Sequence, residues 1–166
     1  DSSDGNVLSE QQFSVESSFN GWDFNSVWEM NSILGRPVLK DNTETFSGTE
    51  DAPYLIYNAE QLKDFAKLVI SGKTNICAKL MNDITINENV LDENGSLNSG
   101  TFEQWTPIGD NIYQYTGTFD GNGHTISGLY VDSNASDVGL FGNVAGGTIK
   151  NVGVVDSYII GTGEPM

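Results

Sequence analysis

The sequence predicts a mainly β protein whose chain winds as a solenoid, with one short α-helix ahead of the repeated turns. Three observations lead there. Glycine is split unevenly, with 5 of 19 in residues 1–83 and 14 in residues 84–166, so the second half is punctuated like an all-β region. Residues 125–131 (TISGLYV) and 148–154 (TIKNVGV) align at a spacing of 23 residues, a period that suits one turn of a stacked repeat. Residues 58–72 carry the clearest helical period in the chain.

Taken in order, residues 1–19 are polar and without clear period, and the segment from Gly21 through Trp22, Phe24, Val27, Trp28 and Met30 to Pro37, Val38 and Leu39 reads as two short aromatic strands joined by a turn. Asp41 to Asp51 is a polar connector, and the chain divides into a segment 1–46 and a β domain 47–166. In NAEQLKDFAKLVISG, Asn58 is placed to cap the helix N-terminus with Gln61 three residues on, Leu62, Phe65, Ala66 and Val69 form one apolar stripe, and Gly72 ends it. Glu60 and Asp64 beside Lys63 and Lys67 read as a solvated face. A strand through Ile84 and Ile86 follows, then a long polar loop from Glu88 to Thr101. The repeat matches Ile126, Leu129 and Val131 to Ile149, Val152 and Val154, with Gly128 and Asn151 as bends, and it matches Asp132 to Asp156 at a spacing of 24.

Charge and composition exclude several function classes. With 23 acidic against 7 basic residues the net charge is −16, which repels a nucleic-acid backbone or an anionic membrane surface. No run of 18 apolar residues offers a membrane span, so direct membrane insertion is not expected. Cys77 is the single cysteine, set in an apolar run, so a disulfide within the chain or a cysteine-rich metal site is excluded and the residue reads as core.

Gly117-Thr-Phe-Asp-Gly-Asn-Gly-His-Thr-Ile-Ser-Gly-Leu, Val138-Gly-Leu-Phe-Gly-Asn-Val and Gly147-Thr-Ile-Lys-Asn-Val-Gly-Val-Val-Asp-Ser resemble the GLUG repeat family of bacterial surface proteins. Gly48-Thr-Glu-Asp-Ala-Pro-Tyr-Leu-Ile, the helix after Asn58, Met81-Asn-Asp-Ile-Thr-Ile and Trp105-Thr-Pro-Ile-Gly are similar to the segment that precedes such repeats. The resemblance implies a right-handed parallel β-helix with the short helix as its N-terminal cap, in a secreted or cell-surface bacterial protein. The repeat occurs in adhesin-like proteins and in non-catalytic regions of immunoglobulin-A-cleaving metallopeptidases. It also implies that residues 1–46 are the end of a preceding array or a cap, that the chain is a slice of a longer protein whose signal and anchor lie elsewhere, and that the last turn is left open. Residues 20–40 folding over that end, or end-to-end self-association, would cover it.

Catalytic chemistry is poorly provided for. His124 is the single histidine and reads as a corner residue, HExxH is absent, and Lys150 is the one basic residue of the second half, which leaves a lyase site without a partnered base. No residue is assigned a catalytic or cofactor-binding role and no metal motif is present. Asp132, Asp137 and Asp156 are the ligands the sequence offers should a cation be held, and Ca²⁺ is that cation, since stacked carboxylates about 5 Å apart would recruit one; the alternative is that such corner residues bond their own backbone. Tyr113, Tyr115 and Tyr130 are candidates for an exposed face that meets a glycan or a host or cell-surface protein, while Trp105 reads as sealing the core. The expectation is a non-enzymatic stalk or adhesion module at the bacterial cell surface; the alternative is a fragment of a polysaccharide-active β-helix enzyme or a non-catalytic part of a surface peptidase.

Overall fold

A computed structural model describes residues 28–31, 36–39 and 48–163. The chain divides into two compact units, Asp1–Thr45 and Phe46–Met166. In the first, β1 (Trp28–Asn31) and β2 (Arg36–Leu39) pair antiparallel, Trp28 opposite Leu39 and Asn31 opposite Arg36. Most of residues 20–40, expected from the sequence to cover an open end, lies outside the described residues.

The second unit is mainly β, with one helix and parallel strands in three short sheets. The strands are β3 (Tyr54–Ile56), β4 (Ala78–Leu80), β5 (Ile84–Thr85), β6 (Thr118–Asp120), β7 (Thr125–Ser127), β8 (Tyr130–Ser133), β9 (Thr148–Lys150), β10 (Gly153–Val155) and β11 (Tyr158–Gly161). Sheet one has the order β3-β4-β6-β9, sheet two β5-β7-β10, and sheet three β8-β11, every pair parallel. Chain order and sheet order agree, so each pass of the chain visits the sheets in turn and lies beside the pass before it. The pass through β4 and β5 reaches sheet three only as a single bridge, Gln104 opposite Tyr130.

The helix α1 (Ala59–Ile70) forms where local signals require it. The Asn58 side chain accepts from the Gln61 amide at 3.0 Å, and the Gln61 side chain returns to the Tyr57 amide at 2.7 Å, which satisfies amides that have no partner within the helix. Gly72, at φ 104, follows its C-terminus. Leu62, Phe65, Ala66 and Val69 are all buried. Phe65 is the centre of this packing, its ring 5.8 Å from Tyr54, 5.9 Å from Tyr115 and 5.8 Å from Phe119. On the polar face Lys63 bridges Glu60 at 2.9 Å and Glu103 at 2.7 Å, tying the helix to the chain ahead of Trp105.

Alternation along each short strand sends one set of side chains inward. Tyr54, Ala78 and Phe119 share a register position in sheet one, Ile84 and Ile126 in sheet two, and all five are buried. Their partners in the last pass are not: Ile149, Val154 and Ile159 are 41%, 42% and 37% exposed, against 0%, 0% and 2% for Phe119, Ile126 and Val131 opposite them. β9, β10 and β11 are also the outermost strands of their sheets. The apolar row therefore loses its cover at that end.

Corners rest on residues that tolerate positive φ. Gly128 (φ 78) turns β7 into β8, and Asn151 (φ 55) turns β9 into β10, so both bends read from the sequence do turn the chain. At Gly128 a Cβ would lie 1.8 Å from the Asn87 carbonyl oxygen, so glycine is required by close approach as well as by φ.

Two expectations are corrected. Ile126 stands opposite Val154 rather than Ile149, and Asp132 stands opposite Ile160 rather than Asp156. The TI pairs at 125 and 148 belong to different sheets, β7 and β9, so their likeness is not a stacking relation. Tyr130 and Tyr158 pair instead, and beside them the Leu129 amide donates to the Ser157 hydroxyl across 28 residues. The second correction concerns residues 88–101, which are not simply a polar loop. Val90 is fully buried, Leu91 bridges Leu97, and the Asp92 carboxylate accepts from the amides of Asn94 and Ser96 at 2.9 and 2.8 Å.

Candidate functional site

The six residues singled out from the sequence do not assemble into one site. Tyr115 is fully buried, its hydroxyl donating to the Ile76 carbonyl at 2.9 Å, and burial holds its phenol far above the usual tyrosine range. It is a core residue and leaves the candidate surface. Tyr113 is 38% exposed, beside Gly72 at the end of α1. Tyr130 is half-buried within a ladder, 5.5 Å from the Phe102 ring and 6.0 Å from Tyr158, with the Tyr158 ring nearly parallel at 17°. Neighbouring rings occupy its faces, so Tyr130 offers an edge rather than a platform for stacking a sugar.

Asp132 and Asp137 do lie on one cleft. They border a cleft of about 320 Å³ with Gln104, Trp105, Pro107 and Ser133, and the Gln104 amide bonds both the carbonyl and the amide of Asp132, at 3.0 and 3.3 Å. Trp105 is buried with its indole N–H donating to the Leu140 carbonyl at 3.3 Å, which makes it the apolar wall of this cleft and a seal of the core. Asp156 lies apart from them. Its carboxylate accepts from the amides of Val90 at 3.1 Å and Leu91 at 2.8 Å and so anchors the 88–101 segment. Among the described residues no group of three or more His, Cys, Asp or Glu is placed to share a metal ion.

His124 sits at the corner between β6 and β7, its Nδ1 3.3 Å from Asp83 Oδ1. The same Asp83 oxygen accepts from the Thr125 amide at 2.8 Å; that bond first, then His124, holds the carboxyl below the usual aspartate range.

A larger groove, about 440 Å³, lies on the outward side of sheet one, and no sequence signal pointed to it. Register places Lys79 opposite Asp120 and Asp120 opposite Lys150, so three charged residues from three passes form one ladder across the strands. Glu50, Asp51 and Pro53 from the segment before β3 make the rim, with Thr118 beside the ladder. The Thr118 hydroxyl donates to Glu50 Oε1 at 3.2 Å. Asp120 Oδ1 accepts from Asn151 Nδ2 at 3.0 Å and the Asn122 amide at 2.9 Å, while Oδ2 is 3.6 Å from Lys150 Nζ. These contacts, the Asn151 bond foremost, hold the Asp120 carboxyl below its usual range. The ladder was hidden because its members lie far apart in the chain and the intervening turns differ in length.

No family model matches the chain, and no solved structure matches it. Over 120 residues, 71% of this chain, it is 31% identical to a protein of Evansella cellulosilytica named as a Gly-rich membrane protein. Over 121 residues, 70% of this chain, it is 31% identical to Halomucin of Haloquadratum walsbyi. The chain spans only 13% of the first relative and 1% of the second, so what is shared is one module of much longer proteins.

Proposed function

We propose that the chain is a GLUG-type, helix-capped, right-handed parallel β-helix and serves as a non-enzymatic structural and interaction module of a bacterial cell-surface protein. One observation carries this reading: successive passes stack in register through three parallel sheets, with the inward row buried until the last pass. Such a module needs neighbours only along its axis, so it extends by adding passes, which suits a stalk. Phe65 and the rest of the α1 stripe close one end, and the exposed row of Ile149, Val154 and Ile159 receives a further pass or a second copy at the other. The relative named as a membrane protein supports an envelope location. Among the described residues no helix is long and apolar enough to cross a membrane.

Of the residues that the sequence offered for chemistry, His124 and Asp156 make structural contacts. His124 and Asp83 fix a corner, and Asp156 fixes a distant segment. Amide hydrogen exchange tests the stacking. Protection is expected to be strongest in β4 and β6 and to fall towards β9, β10 and β11; equal protection in all passes contradicts it. Incubation with pectin and alginate is expected to release no new reducing ends or unsaturated products, and turnover abolished by Asp120→Asn would favour the enzyme reading.

A further inference from the structure

The groove on sheet one has unused bonding capacity on its floor, most of it in lysine donors. Asp120 Oδ1 is already filled by two donors, and Oδ2 faces Lys150 at 3.6 Å, beyond hydrogen-bond distance. Lys79 makes no ion pair among the described residues, whose remaining pairs belong to Lys63, Lys67, His124 and Lys150. Each lysine brings three donors. Two ammonium groups therefore stand either side of Asp120 with most of their N–H bonds unspent, on strands that sit about 10 Å apart across the middle one. The rim is the reverse: Glu50 and Asp51 supply acceptors, with a single Thr118 hydroxyl directed at Glu50.

We infer that this groove binds an acidic saccharide, a uronate unit whose carboxylate sits between Lys79 and Lys150 and whose hydroxyls donate to Glu50 and Asp51. The two halves of the groove match the two halves of that ligand. A carboxylate completes the lysines by charge-assisted bonds, which are stronger than neutral ones. Carboxylate acceptors on the rim take hydroxyl protons, a bond that an anion without hydroxyls, such as sulfate, cannot offer. The groove carries three acids against two lysines, within a chain of net charge −16, so an anion with no hydroxyls meets net repulsion. Size also fits, because about 440 Å³ lies within the range of small-ligand clefts.

This inference extends the surface-module reading by naming a ligand class, and its failure would leave the exchange gradient across the passes untouched. Calorimetric titration of the whole 166-residue chain at low salt with tri-galacturonate, its methyl ester and inorganic sulfate tests it. Tri-galacturonate is expected to bind, with the methyl ester at least about tenfold weaker, because esterification removes the carboxylate and keeps the ring hydroxyls. Lys79→Gln and Lys150→Gln are each expected to weaken binding about tenfold while circular dichroism stays as in the parent chain and melting changes little; both positions face outward, and the exposed pair of Lys150 with Asp120 adds little stability. Equal affinity for the ester, sulfate binding as tightly as the saccharide, unchanged affinity in both lysine variants, or no binding of tri-galacturonate would each overturn it.

Discussion

The Asp156 carboxylate accepts a hydrogen bond from the Leu91 amide at 2.8 Å across 65 residues of sequence, and a second from Val90 at 3.1 Å. Asp156 holds φ 44 at the corner between β10 and β11, and Gly128 at the matching corner between β7 and β8 holds φ 78, so the corner itself takes left-handed backbone. Asp156→Ala leaves two amides without their acceptor and is expected to cost about 1–3 kcal/mol. Denaturant unfolding measures the loss, and exchange at the Val90 and Leu91 amides should rise before that of β6. Unchanged protection there would show that the segment is held by other contacts.

Two glycines with similar φ separate the cost of backbone conformation from that of close packing. A methyl group added at Gly123 (φ 84) would have nothing within 4 Å, whereas one added at Gly128 (φ 78) would lie 1.8 Å from the Asn87 oxygen. Gly123→Ala is expected to cost about 1–2 kcal/mol, the penalty of left-handed backbone alone. Gly128→Ala should cost more than about 4 kcal/mol or prevent folding, since Asn87 also bonds the Gly128 and Glu103 carbonyls. Similar melting temperatures for the two variants would contradict the close stacking of these corners.

Core energetics should follow position along the stack. Ile126→Ala removes a fully buried side chain and is expected to cost about 2–5 kcal/mol. Val154→Ala, at the partner position of the last pass and 42% exposed, is expected to cost less than about 1 kcal/mol. Equal losses in urea unfolding would mean that the last pass is covered in solution.

Acid should destabilise the corners in a defined direction. Asp83 and Asp120 both have folded pKa values below their unfolded ones, so their contribution is full above the unfolded value, near 4, and is lost as pH falls through the folded value. Asp120→Asn keeps an oxygen for Asn122 and Asn151 but cannot titrate. Its unfolding midpoint should therefore fall less steeply below about pH 4 than that of the parent chain. Parallel curves from about pH 7 to 2 would exclude the assigned hydrogen bonds.

What could be read from the sequence was what is local. Asn58, Gln61 and the stripe from Leu62 to Val69 lie within a few residues of one another, so cap and buried face followed from spacing alone. Stacking is a relation between passes, and its register depends on turn length. Stacked partners of the last two passes are 30 residues apart in sheet one and 28 apart in sheets two and three, whereas the two TI pairs are 23 apart, so aligning them placed residues of different sheets together. The ladder of Lys79, Asp120 and Lys150 joins residues 41 and 30 apart in sequence, and Tyr115 gives no local sign that its ring lies against Phe65 and Phe141.

Stacking at the observed register is tested most directly by disulfide trapping in a Cys77→Ala background. Asp132 and Ile160 are directly opposed, outward and exposed, and adjacent parallel strands sit about 4.8 Å apart, within reach of a disulfide. Asp132→Cys with Ile160→Cys is expected to oxidise to an intramolecular bond, while Asp132→Cys with Asp156→Cys stays reduced under the same conditions. Ready bonding between positions 132 and 156, with none between 132 and 160, would contradict the stacking register of β8 and β11.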